Sequence, residues 1–204
     1  MKQITLLFFF FIALHFPSPA QQVIADIAEH YCRSNPFDKE FSRFLNHLIN
    51  DPTLVNKTMT KRSDTSFFYF KATYTQHNPF PFKAIRTEVI LAERVEQLSD
   101  SIGQTDTLLY YQLMGYTDSG KEGVGDVKKE YKKFNHKYGI FFSDNKENEL
   151  SKDRQVLGTV NNFFVSFNAV SPVTAAWAIL NSQNENVFAV TFRFKVKENY
   201  AILP

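Results

Sequence analysis

The sequence predicts an α+β domain: two N-terminal helices and one further helix packed on a twisted, mainly antiparallel sheet of about five to six strands. Three observations point there. Apolar residues recur at helical spacing across 23–31, 41–49 and 127–138. They alternate at period two across 67–75 and, most cleanly, across 188–196. The segments between the alternating runs are mostly short, and short connections pair strands antiparallel, because a parallel crossover needs about a dozen residues or more.

Residues 1–20 read as a secretory signal peptide and 21–204 as the single α+β domain. Lys2 is the only charged residue in the first 20, Leu6 to Leu14 is an unbroken apolar run, and Ser18-Pro19-Ala20 supplies small residues for cleavage. A membrane-spanning helix needs roughly 20 apolar residues, more than this run provides. The Ala20-Gln21-Gln22 junction resembles bacterial export signals. The expected location is therefore exported, periplasmic or extracellular, with no transmembrane segment once the signal is removed. A lipid anchor would need Cys at the cleavage point, and Cys32 is too far downstream. With one Cys there is no internal disulfide framework. Cys32 is expected to serve as a small buried apolar residue.

Val23, Ile24, Ile27, Ala28 and Tyr31 form the stripe of the first helix, ended by Ser34-Asn35-Pro36. Asp38 is a good N-cap for the second, whose stripe is Phe41, Phe44, Leu45, Leu48 and Ile49. Asp51-Pro52 stops it, because the residue before Pro is pushed out of the helical region. In 67–75 the period changes: Phe68, Phe70, Ala72 and Tyr74 share one face, and Tyr69, Lys71 and Thr73 the other. A turn at 77–81 leads to a return strand over 87–93. A third strand, 108–114, is bulky on both faces and is expected to lie centrally.

Gly115 to Gly125 reads as a loop, after which Asp126 caps a helix to about Lys137 with the stripe Val127, Tyr131, Phe134 and Tyr138. Gly139 sits where a C-terminal cap is expected. Ser143 to Arg154 is dense in charge and predicts a solvated loop. Strands are expected at 163–169, 174–180 and 188–196, with a turn over 181–186. This order of elements resembles that of cystatin-like and NTF2-like domains. The likeness is one of architecture only and rests on no shared motif.

Removing Lys2 with the leader leaves 22 basic against 21 acidic residues. That balance excludes the basic excess of a nucleic-acid-binding protein. Aromatic content is high: Phe8 to Phe11 and Phe16 leave with the leader, and 17 of the 22 Phe remain.

No complete catalytic or metal motif is present, and no cofactor is expected. Gly115-Tyr116-Thr117-Asp118-Ser119-Gly120-Lys121 matches a phosphate-binding loop until Glu122 stands where a Mg²⁺-ligating Ser or Thr is required. Ser143-Asp144-Asn145-Lys146 satisfies S-x-x-K, but the companion K-T-G strand is missing. His30, His47, His77 and His136 have no ligand spacing for zinc. Paired carboxylates form only in space; Glu88, Glu93 and Glu96 could face a cleft, although nothing in the chain singles them out. Asn56-Lys57-Thr58 is a glycosylation sequon, relevant only in a eukaryotic secretory pathway.

Two candidate sites remain. Trp177, with small neighbours Ala176 and Ala178, is expected to line a ligand pocket with Tyr69 and Tyr110, against the alternative that all three are core or half-exposed sheet residues. Lys128, Lys129, Lys132 and Lys133 form a basic patch that would meet an anionic partner, against the alternative of a solvated helix face. The expectation is thus a non-catalytic module binding a small ligand or an envelope protein. The alternatives are a hydrolase or isomerase with a spatially assembled carboxylate/His site, and an envelope interaction protein.

Overall fold

Alternation in the sequence becomes one antiparallel sheet. A computed structural model of the chain describes residues 19–32, 41–75, 80, 82–97, 105–138, 142–150, 156–163, 173–180 and 184–195. Its elements are α1 (Pro19–Cys32), α2 (Phe41–Asn50), β1 (Leu54–Thr60), β2 (Tyr69–Tyr74), β3 (Arg86–Gln97), β4 (Thr105–Asp118), α3 (Lys121–Tyr138), β5 (Phe142–Leu150), β6 (Val156–Phe163), β7 (Val173–Leu180) and β8 (Glu185–Lys195). The fold class is α+β, three helices on an antiparallel sheet, as the periodicities require. The signal peptide over residues 1–18, the Asp38 cap, the 77–79 turn, Gly139 and most of the expected 163–169 strand lie outside the described residues.

The sheet has eight strands in the order β1-β2-β3-β4-β8-β7-β6-β5. Two four-stranded meanders meet where β4 pairs with β8. Three of the strands were not expected: β1, β5, and β6, which overlaps the expected 163–169 strand only at Phe163. β1 is an edge strand with only Leu54 buried, so it carries no apolar alternation. β5 runs through the charge-dense segment expected to be a loop, at the opposite edge. Charged, polar edge strands are a common protection against further strand pairing. Ordinary hydrophobic patterning does not detect them.

Pairing register assigns the two faces of the sheet. Leu109, Tyr111 and Leu113 of β4 face the same side as Val89 and Leu91 of β3 and Val190 and Phe192 of β8. These residues join Phe44, Leu45, Leu48, Val127, Phe134 and Phe188 in one buried core. The helices cover this side. α1 and α3 are tied by the Tyr31 hydroxyl donating to Glu130 Oε1 at 3.1 Å and the Tyr138 hydroxyl donating to Asp26 Oδ2 at 2.7 Å. Each expected helical stripe is buried in whole or part: Ile27, Ala28 and Tyr31; Phe44, Leu45 and Leu48; Val127, Tyr131, Phe134 and Tyr138.

α3 begins at Lys121, five residues before the expected Asp126. Two glycines suggested a loop, but Gly123 serves a close approach. A Cβ there would collide with the Asp118 carbonyl and lie 2.8 Å from Thr117 Oγ1. Gly115 is likewise in β4, where a Cβ would come within 2.5 Å of the Phe80 ring. Phe80 stacks on Phe82 there at 5.2 Å between ring centroids. No helix among the described residues is long and apolar enough to cross a membrane.

Candidate functional site

The second face of the sheet sets two arginines beside a buried tyrosine. On it, Ala92 of β3 pairs with Tyr69 on one side and Tyr110 on the other, and Tyr110 pairs with Arg193 of β8. A rung of side chains therefore reads Tyr69, Ala92, Tyr110, Arg193. One step along, Arg94 pairs with Leu108. The Arg94 and Arg193 guanidinium carbons lie 4.9 and 5.4 Å from the centre of the Tyr110 ring. A guanidinium within about 6 Å of a ring centre is attracted by the negative face of the π system. Tyr110 is 5 % exposed, yet its hydroxyl makes no hydrogen bond. Arg94 is exposed and makes no ion pair among the described residues.

The other end of the same face is electrically matched. Arg86 donates through both terminal nitrogens to Glu185, at 2.9 and 2.8 Å, and its Nε lies 3.2 Å from Glu88 Oε1. Lys71 reaches the same Glu88 oxygen at 3.0 Å. The Tyr116 hydroxyl donates to Glu88 Oε2 at 3.2 Å, and Arg86 stacks 4.1 Å over the Tyr116 ring. Burial works against the Arg86 charge, but Glu185 and Glu88 outweigh it and hold its pKa above the usual value. Burial and then the Glu88 charge push Tyr116 up to about 12. Two cations thus answer two carboxylates. Between the two ends, Gln112 Nε2 donates to Thr191 Oγ1 at 3.0 Å.

The structure divides the expected pocket. Tyr69 and Tyr110 share the face that is helix-free among the described residues, but Trp177 pairs with Phe188 and so lies on the helix side. There Lys128 Nζ sits 4.7 Å over the indole ring. The sequence gives side-chain parity within each strand, but not the register that relates one strand's parity to the next. Lys128, Lys129, Lys132 and Lys133 are all exposed along α3. Lys128 is engaged with Trp177 and Lys133 stands 3.7 Å from Glu130. Arg94 and Arg193 were not singled out from the sequence. The available signal was an arginine at a polar position of each strand, but β8 meets β4 only through a non-local pairing.

At the β1–β2 turn a cleft of about 310 Å³ is lined by Arg62, Ser63, Asp64, Thr65, Ser66 and Phe67. The buried Glu93 holds this turn, accepting the Phe68 N–H at 2.9 Å and lying 3.6 Å from Arg62. Glu88 and Glu93 occupy opposite faces of β3, so they do not form a carboxylate pair. In the near-match to a phosphate-binding loop, Gly115 to Asp118 are paired with β8. Only Ser119 and Gly120 separate β4 from α3, too short a loop to wrap phosphate. Ser143 lies in β5, not at a helix start. His30, His47 and His136 are exposed, and no group of metal ligands occurs among the described residues. Cys32 is buried, and burial pushes its thiol pKa up. Comparison of the chain with protein-family models, curated proteins and solved structures returns no match.

Proposed function

We propose that this chain is an exported, non-catalytic binding module that takes its ligand on the helix-free face of the sheet. The observation that carries the reading is the Arg94–Tyr110–Arg193 cluster. A buried hydroxyl without a partner costs about 1–3 kcal/mol. Sheets that face water on one side ordinarily carry solvated polar side chains there, without such a cost. The opposite side of the sheet is covered by helices and holds the apolar core. Export rests on the leader: Lys2, the apolar run Leu6 to Leu14, and Ser18-Pro19-Ala20. The location proposed is the periplasm or the medium of a bacterial cell.

Two measurements test the reading. Expression of the whole chain in a bacterium should yield an exported product whose first residue is Gln21; an intact leader on a cytoplasmic product contradicts export. Amide chemical shifts recorded against a panel of sugars, carboxylates, phosphates and apolar compounds should move at Tyr69, Arg94, Tyr110 and Arg193. Shifts confined to residues 62–67 or to α3 would contradict the proposed face.

A further inference from the structure

We infer that the outer face of α3 is a docking surface for an acidic polysaccharide, a linear sugar chain carrying carboxylate or sulfate groups. This surface lies on the helix side of the sheet, so it stands apart from the ligand proposed for the opposite face.

α3 divides its side chains sharply. Val127, Tyr131, Phe134 and Tyr138 enter the core. Lys121, Lys128, Lys129, Lys132, Lys133 and Lys137 are exposed, and Glu122 is the only exposed acid of the helix. Lys128 and Lys132, Lys129 and Lys133, and Lys133 and Lys137 stand four residues apart, the spacing at which like charges on a helix repel. Three of the lysines have a partner within the protein. Lys128 lies over the Trp177 ring, Lys133 stands 3.7 Å from Glu130, and Lys137 stands 2.9 Å from Asp26. Lys121, Lys129 and Lys132 make no ion pair among the described residues. The helix dipole favours cations only in the last turn, and these three precede it.

The shape of this unanswered charge selects the partner. The helical period sets Lys121, Lys129 and Lys132 on one side of α3, and a rise of 1.5 Å per residue spreads them over about 16 Å. A narrow row of cations fits a linear polyanion. A flat anionic surface fits less well, because α1, joined to α3 through Tyr138 and Asp26, exposes the acids Asp26 and Glu29 beside the row. A bilayer of anionic lipid would press those acids against like charge. α3 also exposes no large apolar or aromatic side chain. It therefore lacks the wedge that enters a lipid interface and the platform on which single-stranded bases stack. Lysine is a compact point charge on a flexible stem, without the fixed fork of arginine. Such cations suit anionic groups that recur along a chain without one fixed orientation.

The test is a titration of the full mature chain with polygalacturonate and heparin fragments, read by amide chemical shifts and repeated over a range of salt concentrations. Dextran is the neutral control. Polyglutamate, a single-stranded oligonucleotide and phosphatidylglycerol vesicles are the competing occupants. At least one acidic polysaccharide should bind and move the amides of residues 121–133, and the tighter of the two separates carboxylate from sulfate. Counterion release from a linear polyanion gives a log–log salt slope of about 0.7–0.9 per cation engaged, so three lysines predict about 2–3. Lys129→Gln combined with Lys132→Gln should weaken binding about tenfold at low salt and reduce that slope by about 1–2. The melting temperature should hold, because Gln is nearly as good a helix former as Lys. Lys57→Gln combined with Lys61→Gln removes the same charge at the β1 edge and should leave the affinity unchanged. The inference is overturned if neither polysaccharide binds, if dextran binds equally, or if the two double variants weaken binding alike. Tighter binding of polyglutamate, oligonucleotide or vesicles than of both polysaccharides would overturn the named partner. Polysaccharide-induced shifts at Tyr69, Arg94 and Tyr110 in place of α3 would overturn this surface while supporting the opposite face.

Discussion

Replacing Phe188 by Ala should remove more stability than any substitution on the opposite face of the sheet. Phe188 is fully buried. Its ring centre lies 5.8 Å from Tyr31, 5.6 Å from Phe80, and 6.4 Å from both Phe82 and Phe134. It therefore joins α1, the segment before β3, and α3 to the sheet. Truncation loses the transfer free energy of the ring and leaves a cavity that three separate elements cannot all close. Phe→Ala in such a site costs about 3–5 kcal/mol. Against a total stability of about 5–15 kcal/mol, that is a large fraction. For a domain of this size each kcal/mol moves the midpoint by about 2–4 °C, so the expected loss in Tm is on the order of 10 °C. Tyr69→Ala, on the helix-free face where the ring is 36 % exposed, should cost about 1 kcal/mol or less. Urea denaturation reads both, with the slope m unchanged if only the native state is affected. A Phe188→Ala loss no larger than that of Tyr69→Ala would refute the face assignment built on β8.

Two glycines of α3 should respond in opposite directions. Gly123→Ala meets the Asp118 carbonyl and should destabilise by about 1–3 kcal/mol, whereas Gly125→Ala finds nothing within 4 Å and should gain about 0.5–1 kcal/mol in the same denaturation assay. The Cys32 thiol is buried and its pKa raised, so native protein should react with a thiol reagent at neutral pH far more slowly than protein in urea. The Tyr138 hydrogen bond, opposed by slight burial and helped by Lys137, lowers the Asp26 pKa. A lowered folded pKa gives stability that is present above the ordinary aspartate value and lost as pH falls through the folded value. Asp26→Asn should therefore flatten the acid limb of a stability-versus-pH curve, modestly because Asp26 is half exposed. Tyr31→Phe strips Glu130 of the hydroxyl that donates to its buried carboxylate, and should cost about 1.5–3 kcal/mol by urea titration.

How far these features could be read from the sequence depends on whether they are local. The α2 stripe and the β8 alternation are set within one element, and both emerge with their central residues buried, Phe44, Leu45 and Leu48 in one and Phe188, Val190 and Phe192 in the other, while Phe41, Ile49 and Phe194 are partly buried. β1 and β5 are held by backbone pairing to a single neighbour, which polar side chains do not announce. The start of α3 was masked by Gly123, whose role is a contact with Thr117 and Asp118 across the turn. The candidate site failed to appear for a related reason. Tyr69 and Tyr110 were picked out as aromatic sheet residues. Their relation to Arg94 and Arg193 exists only once β4 has β3 on one side and β8, over 60 residues later in the chain, on the other. Trp177 was assigned to the same pocket because β7 is apolar or small on both faces, so its own pattern does not say which face the helices cover.

The central claim is that register brings Arg94 and Arg193 to Tyr110 and turns Trp177 away. A nuclear Overhauser spectrum of the mature protein, with the Tyr110 ring protons assigned, tests it most directly. Cross-peaks from that ring to the Arg94 and Arg193 side chains, and none to the Trp177 indole, are the predicted result. A Tyr110–Trp177 cross-peak without contacts to the two arginines would contradict it.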